Sequence, residues 1–316
     1  MKRRAMLLGL AALALAVGFG LAGCRRSPTE KRQIVIGLTV PSLSHPFFIC
    51  IKKHVADEAA KLGVRLIAAD AEDVAAKQMA IVEDFIAQGV DGVVMAPIGS
   101  AALVPAVEAL NRAGIPLATV DRKVEGGDVL VHVGGDNVEG GRIAARYILQ
   151  KLGGKGAVIE LEGTPGASPA IDRKRGFEEV LAASPLRLLA SQSAEFYRAK
   201  GQSVMENLLQ VHGDFQALYA ANDEMVLGAL EAMAAHGMPP GRVVSVGYDV
   251  IPDAAACIKQ GRLTASIEQF PGQQARKALG FLVAKLRDGK TPPSKEVYLT
   301  PVVIDKHNLD QAEAKD

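Results

Sequence analysis

The sequence predicts an α/β protein of two lobes, similar in size, each built around a parallel sheet and joined to the other by short crossing strands. Three observations carry this reading. From residue 34 onward, short runs of Val, Ile and Leu alternate with stretches of helical periodicity, the pattern of parallel βαβ units. The alternation completes one unit near residue 135 and then restarts. Neither half contains a linker rich in Pro, Ser or charge, so the halves are expected to exchange strands directly.

The first lobe opens with IVIGLTV (Ile34 to Val40) as a buried strand, and Phe47 to Leu62 follow with helical periodicity. Between them SHPFF, residues 44 to 48, reads as a loop that places two phenylalanines side by side in a chain that is only 4% aromatic and has no Trp. Further strands are expected at Val64 to Ala69, Gly92 to Met95, Pro116 to Val120 and Val129 to Val133, with helices at Ala75 to Gln88 and Ala101 to Arg112. The second lobe begins with a helix over Gly140 to Leu152, and its strands are expected at Ala157 to Leu161, Leu186 to Ser191, Ala217 to Ala220 and Val243 to Val246. AVIEL and VVSV are apolar with one polar interruption each, as strands buried on both faces require. The lobes are expected over residues 34–135 plus 270–298 and over residues 136–269 plus 299–316. Crossings fall at His132 to Asp136, at Leu263 to Glu268 and near Val297. Gly134 and Gly135 suit a hinge, where backbone angles must change, or an ordinary tight turn.

With 49% hydrophobic and 22% charged residues, the chain of 316 residues is globular and long enough for two domains. Residues 1–23 stand apart: Lys2, Arg3 and Arg4 precede an apolar run to Gly20, followed by small residues, the order of a secretory signal. LAGC (Leu21 to Cys24) resembles the lipobox of bacterial lipoproteins, which implies cleavage before Cys24, lipid on its sulfur and attachment to a membrane through that lipid. Residues 24–33 then read as a flexible tether. Removing residues 1–23 leaves 33 Lys plus Arg against 35 Asp plus Glu, a net charge of −2, so nucleic acid is not expected as a partner. Cys50 and Cys257 lie far apart, each inside an expected helix, and read as buried free thiols.

No G-x-S-x-G, G-x-x-x-x-G-K-[ST] or H-E-x-x-H motif occurs, and the six histidines show no metal-ligand spacing. Neither a catalytic set, a cofactor nor a metal is expected. The glycine clusters at Gly153 to Gly156 and Gly163 to Gly166 read as turns. What remains is a set of polar and aromatic residues at expected strand ends and helix starts: Phe47, Phe48, Asp121, Arg122, Arg173, Phe196, Asn222, Asp249 and Gln269. LATVDR and VSVGYD form a weak internal parallel, each an apolar strand running into Asp. In open parallel sheets that edge binds ligands, which would bring Asp121 and Asp249 to one cleft. The mixture suits a small hydroxyl-rich molecule, because C–H faces pack on rings while carboxylates accept from hydroxyls and guanidinium or amide groups donate to oxygens.

These residues carry a resemblance. From about Gln33 to near Ile304 the chain resembles the ribose-binding type of bacterial periplasmic sugar-binding proteins, the type I fold of two Rossmann-like lobes joined by a three-strand hinge. The matching segments are PFF ending at Phe48, TVDR ending at Arg122, DNVEGG from Asp136, DRKRGF from Asp172, AEF ending at Phe196, NDEMVLGAL from Asn222, VGYD ending at Asp249 and SIEQ ending at Gln269. The resemblance implies a ring sandwich of Phe47, Phe48 and Phe196 around a monosaccharide, with hydroxyl contacts from Asp121, Arg122, Arg173, Asn222, Asp249 and Gln269. It further implies a monomeric receptor that hands its sugar to an ABC permease and its ATPase. One position departs: His45 stands where that type usually has Asn, which puts ribose itself in question, since an imidazole has a different reach and titrates near neutral pH when unperturbed.

Other readings of the same fold are a sugar receptor feeding chemotaxis or a sensor kinase, and the effector domain of a LacI-type regulator. The latter calls for a basic helix-turn-helix where this chain has its signal-like segment. An enzyme using Asp121 and Asp249 as acid and base is disfavoured, because arginines in the same cleft are expected to keep both carboxylates ionised.

Overall fold

A computed structural model describes residues 32–313. The signal-like segment, Cys24, most of the expected tether and residues 314–316 lie outside the described residues. The first half of the chain runs β1 (Val35–Val40), α1 (Pro46–Leu62), β2 (Arg65–Asp70), α2 (Ala75–Ala87), β3 (Gly92–Met95), α3 (Val104–Arg112), β4 (Leu117–Val120) and β5 (Val131–Gly135). It continues through α4 (Asn137–Lys151), β6 (Gly156–Glu162), α5 (Ser168–Ala182), β7 (Leu186–Ser193), α6 (Arg198–Val211), β8 (Ala217–Ala220) and α7 (Asp223–Ala235). β9 (Val244–Tyr248), α8 (Pro252–Lys259), β10 (Ala265–Glu268), α9 (Pro271–Asp288), β11 (Glu296–Leu299) and β12 (Val302–Asp305) complete it.

These strands form two six-stranded sheets, ordered β11-β5-β4-β3-β1-β2 and β12-β10-β9-β8-β6-β7. The first is parallel throughout; the second is parallel except for β12, which runs antiparallel to β10. The same winding order thus occurs twice. β4 and β9 occupy the same place in their sheets, so the parallel between LATVDR and VSVGYD is a parallel in space.

Helices cover both faces of each sheet, which explains why β1, β3, β4, β5 and β8 are buried along their length. On the first sheet, α1 and α9 pack Ile51, Val55, Ala278 and Leu282 against one face, and α2 and α3 pack Val82, Phe85, Val107 and Leu110 against the other. On the second, α4 and α5 contribute Ala144, Ile148 and Phe177, while α6 and α7 contribute Met205, Leu208, Val226 and Ala229. The chain passes between the sheets three times: from β5 into α4, from β10 into α9, and from β11 into β12 through Thr300 and Pro301.

Several local expectations are corrected. Phe47 and Phe48 are not in a loop but in the first turn of α1, which Pro46 opens and His45 caps. Both rings are buried, at 3% exposure each. Gly134 and Gly135 form no turn; they end strand β5. A Cβ on Gly134 would stand 2.7 Å from His132 Nε2, and one on Gly135 would stand 3.2 Å from Gln269 Oε1, so close approach accounts for both glycines. α4 starts at Asn137 because the Asp136 carboxylate accepts from the Glu139 N–H at 3.0 Å. The Cys50 and Cys257 thiols are free, but Cys50 is only partly buried. The antiparallel strand β12 had no counterpart in the sequence reading. Among the described residues no helix is long and apolar enough to cross a membrane.

Candidate ligand-binding site

The carboxyl ends of both sheets contribute to one cavity. Asp121 follows β4 and Asp249 follows β9, each with positive φ, 63° and 105°. Phe196, after β7, has φ 67°, a region that L-residues with bulky side chains rarely occupy. Strain at three site residues is the kind of feature that the surrounding structure must overdetermine, and it clusters at binding sites.

A small, partly open cavity lies at these strand ends. His45, Phe47, Phe48, Asp121, Arg122, Arg173, Phe196, Asn222, Asp249 and Gln269 all line it, so the structure brings every ligand-contact candidate from the sequence to one place. Pro169 is an additional lining residue. Its only sequence signal is its position near the start of α5, four residues before Arg173.

Aromatic rings set the shape. Phe47 and Phe48 meet edge to face with centroids 5.3 Å apart, and Phe196 enters from the other sheet. The Arg122 guanidinium lies between these walls, 5.3 Å from the Phe48 centroid and 5.5 Å from that of Phe196. Its Nη1 donates to the Ile98 carbonyl at 3.0 Å, and its Nε lies 3.7 Å from Asp121 Oδ2. Asp121 Oδ1 and Arg122 Nε are buried without a hydrogen-bond partner in the protein, the latter within ion-pair distance of Asp121 Oδ2.

Arg173 reaches the site from the first turns of α5. Its Nε donates to Asn137 Oδ1 at 2.8 Å, its Nη1 donates to the Ala221 carbonyl at 2.7 Å, and Nη1 stands 3.8 Å from Asp249 Oδ1. Gln269 Nε2 donates to the same Asp249 oxygen at 2.7 Å, and Gln274 Nε2 donates to the Gln269 carbonyl at 2.8 Å. Asn137 and Gln274 are supports that sequence reasoning missed. Asn137 does stand inside the quoted segment DNVEGG, but a helix-start amide looks the same in sequence whether it supports a partner or faces water.

His45 and Asn222 join the two halves. Asn222 caps α7: its Oδ1 accepts from the Met225 N–H at 3.0 Å, its Nδ2 donates to the Phe196 carbonyl at 3.2 Å, and Nδ2 lies 3.0 Å from His45 Nε2. Lys123 N–H donating to Ser168 Oγ at 2.9 Å, and Ser100 N–H donating to the Gly166 carbonyl at 3.1 Å, also link the halves.

Burial dominates the electrostatics. It raises the Asp121 pKa against the pull of Arg122 and Arg173, and it raises that of Asp249 well above its ordinary value against Arg173. Desolvation is the largest influence on both carboxylates, ahead of the arginines. Burial also lowers the Arg122 pKa. It works against the Arg173 charge as well, yet Tyr248, Asp249 and Asp121 together raise that pKa. His45 does not titrate near neutrality, because burial and then Arg122, Arg173 and Arg198 push it down to about 3. Among the described residues no group of three His, Cys, Asp or Glu side chains could hold a metal ion.

Two doubly wound halves with a cavity at their sheet edges, walled by rings and hung with donors and acceptors, define a two-lobed solute-binding protein. The chain belongs to the periplasmic binding protein family: residues 36–291 match the periplasmic binding protein domain. It is 46% identical over 262 residues to the ribose import binding protein of Bacillus subtilis (strain 168), covering 80% of this chain and 85% of that one. It is 39% identical over 303 residues to the ribose import binding protein of Salmonella typhimurium, covering 96% and 99%. Among solved structures it is similar to the Caulobacter myo-inositol binding protein bound to myo-inositol, with a TM-score of 0.85, 35% identity, and coverage of 89% of this chain and 96% of that one.

Proposed function

We propose that the protein is an extracytoplasmic solute-binding protein that captures a monosaccharide in this cavity and delivers it to an ABC permease. It is a carrier and not an enzyme. The observation that carries the reading is the pairing, between facing aromatic walls, of a buried acceptor at Asp121 Oδ1 with a buried donor at Arg122 Nε, each without a hydrogen-bond partner in the protein. A sugar meets both needs at once, since each hydroxyl accepts and donates and its C–H faces pack on rings. Relatives named for ribose import, and a structural neighbour named for myo-inositol, support a ligand of this size and chemistry.

In this reading Phe47, Phe48 and Phe196 sandwich the ring. Asp121 and Asp249 accept from hydroxyls, while Arg122, Arg173, Asn222, Gln269 and His45 contact its oxygens. A ligand touching both halves binds the closed form more tightly and shifts the population toward it, with β5 flexing at Gly134 and Gly135 as part of the hinge. The receptor acts as a monomer, exported and held to the membrane by lipid on Cys24. Calorimetric titration with pentoses, hexoses and inositols tests the central claim: at least one binds with a Kd of about a micromolar or tighter, roughly −8 kcal/mol. Absence of binding across the panel would overturn it. Mass analysis of the membrane fraction tests the anchor, with a diacylated Cys24 as the new first residue expected.

A further inference from the structure

Residues 309–313 tie the two halves together at the hinge, away from the cavity. After β12 the chain turns through Leu309–Gln311 and packs Ala312 among Val250, Ala255 and Ile304, so this segment belongs to the second half. Glu313 then faces both ways. Its N–H donates to Glu268 Oε2 at 2.8 Å, at the end of β10. Its own carboxylate accepts from the Gln273 N–H at 3.1 Å and from Arg276 Nη2 at 2.9 Å, both in the first turns of α9, which packs on the first sheet. Arg276 Nη1 lies 3.1 Å from His54 Nδ1, which extends the contact to α1. Between β10 and α9 the chain crosses through Gln269 and Phe270, and Glu268 and Glu313 bracket that crossing. Phe270 has φ 59° and ψ 60°, a left-handed conformation that bulky side chains seldom adopt, and Glu268 Oε1 holds it there by accepting its N–H at 2.6 Å.

We infer that Glu313, anchored on Glu268 and paired with Gln273 and Arg276, is a hinge clamp that favours the closed arrangement and so sets ligand affinity from outside the site. Rotating one half against the other has to change backbone angles at a crossing such as Gln269 and Phe270. It also has to draw Gln273 and Arg276 away from Glu313, because the two sides of that contact ride on different halves. Glu268, Phe270, Gln273, Arg276 and Glu313 do not line the cavity, so the clamp acts before any ligand arrives. Carboxylate and helix start suit each other, since the first N–H groups of a helix lack intrahelical partners and carry the positive end of its dipole. The inference rests on the closing receptor proposed above and adds which residues govern its resting balance. Apparent affinity scales with the fraction of chains already in the competent form, so a shift in that balance is read directly as a change in Kd.

The test compares wild type with Glu313→Ala, Arg276→Ala and the double variant. Both side chains are partly exposed, Arg276 at 35% and Glu313 at 20%, so the variants are expected to fold, which urea unfolding checks. Small-angle X-ray scattering of the ligand-free chains is expected to give a larger radius of gyration for each variant than for wild type. Calorimetric titration with the tightest-binding sugar of the panel above is expected to give a Kd weaker by about fivefold or more in Glu313→Ala, with the double variant equal to Glu313→Ala because both side chains act through one contact. Stopped-flow binding is expected to place most of that loss in the dissociation rate. Lower stability with unchanged scattering and unchanged Kd would mean that Glu313 only holds its own segment in place, and it overturns the inference; so does a double variant clearly weaker than Glu313→Ala. Should no sugar bind, the binding reading falls while scattering of the ligand-free chains still decides the clamp: an unchanged radius of gyration overturns it and a larger one supports it.

Discussion

Arg173 holds its guanidinium carbon 3.6 Å from the centre of the Tyr248 ring while Asn137 Oδ1 accepts from its Nε at 2.8 Å. The ring sits below the group and the amide fixes its rotation, so a long flexible side chain becomes a rigid donor before any ligand arrives. Gly140 is part of the same arrangement, since a side chain there would run into the Tyr248 hydroxyl. Pre-ordering matters because an arginine free to rotate gives up side-chain entropy of about 2 kcal/mol when it is immobilised.

Asn137→Ala removes the acceptor for Arg173 Nε and leaves a buried charged donor unpaired. Sugar affinity is expected to fall about tenfold, in line with roughly 1.5–3 kcal/mol for a hydrogen bond to a charged group. Calorimetry measures the loss. An unchanged Kd would show that Tyr248 and the Ala221 carbonyl suffice to hold the arginine.

Arg122→Ala and Asp249→Ala each remove a cavity wall residue that bonds within the site. Binding of the cognate sugar is expected to weaken by more than about a hundredfold in each, since two or more charge-assisted contacts disappear. Far-ultraviolet circular dichroism is expected to be unchanged, because neither side chain belongs to the apolar clusters beneath the sheets. Near-wild-type affinity in either variant would place the ligand elsewhere.

The site was more legible in the sequence than the turns around it. Asp121, Asp249 and Gln269 could be picked out because short, mostly apolar strands (LATV, VSVGY, ASIE) precede them, and the residue after such a strand has few places to go in a parallel sheet. Phe196 and Asn222 followed from the same rule. The supports were not legible: Asn137 and Gln274 act through bonds to Arg173 and Gln269 made 36 and 5 residues away, and nothing local marks the partner. The first turn of α1 was misread because Ser, His and Pro are loop residues and helix-start residues alike, and only the bond from the Phe47 N–H to His45 decides between them. β12 escaped because VVID is a short run with no turn signal to mark it as antiparallel.

Gly141 tests how closely α4 and α5 must approach. A Cβ at this position would run into the Arg173 carbonyl, and one on Gly176 into the Val138 carbonyl, so the two glycines let the helix backbones touch. Gly141→Ala is expected to cost about 1–3 kcal/mol of stability by overpacking. It is also expected to weaken sugar binding, because α4 carries Asn137 and α5 carries Arg173. Denaturant unfolding and calorimetry on one preparation measure both, and loss of stability with unchanged affinity would show that the helices separate without moving Arg173.

His45 should leave no trace in the pH dependence of binding. With its pKa pushed down to about 3 by burial and the neighbouring arginines, it stays neutral throughout pH 5–8. The Kd measured across that range is expected to show no inflection near 6.5 that disappears in His45→Asn. Such an inflection would mean that the ring is hydrated and titrates as an exposed histidine does.

Glu160 makes stability depend on pH. It is fully buried in β6, and burial raises its pKa from 4.5 to about 8. Ser191 Oγ lies 2.7 Å from Glu160 Oε2 and 2.6 Å from Glu162 Oε1, and Lys174 Nζ donates to Glu162 at 2.6 Å. One hydroxyl proton cannot serve both carboxyls, so a protonated Glu160 donates to Ser191, which donates to Glu162. Between pH 4.5 and 8 the folded chain keeps this proton while the unfolded chain loses it. The contribution of Glu160 is therefore complete below about pH 4.5 and falls as pH rises through about 8, by up to about 1.4 kcal/mol per pH unit. Asp223 and Glu268, each raised by burial to about 7, act in the same direction, so the wild-type slope alone does not isolate Glu160. The comparison that does is Glu160→Gln, whose amide can donate to Ser191 at every pH: its stability relative to wild type is expected to improve steadily from pH 5 to pH 8 in urea unfolding, and parallel curves would show that Glu160 is ionised in the folded protein.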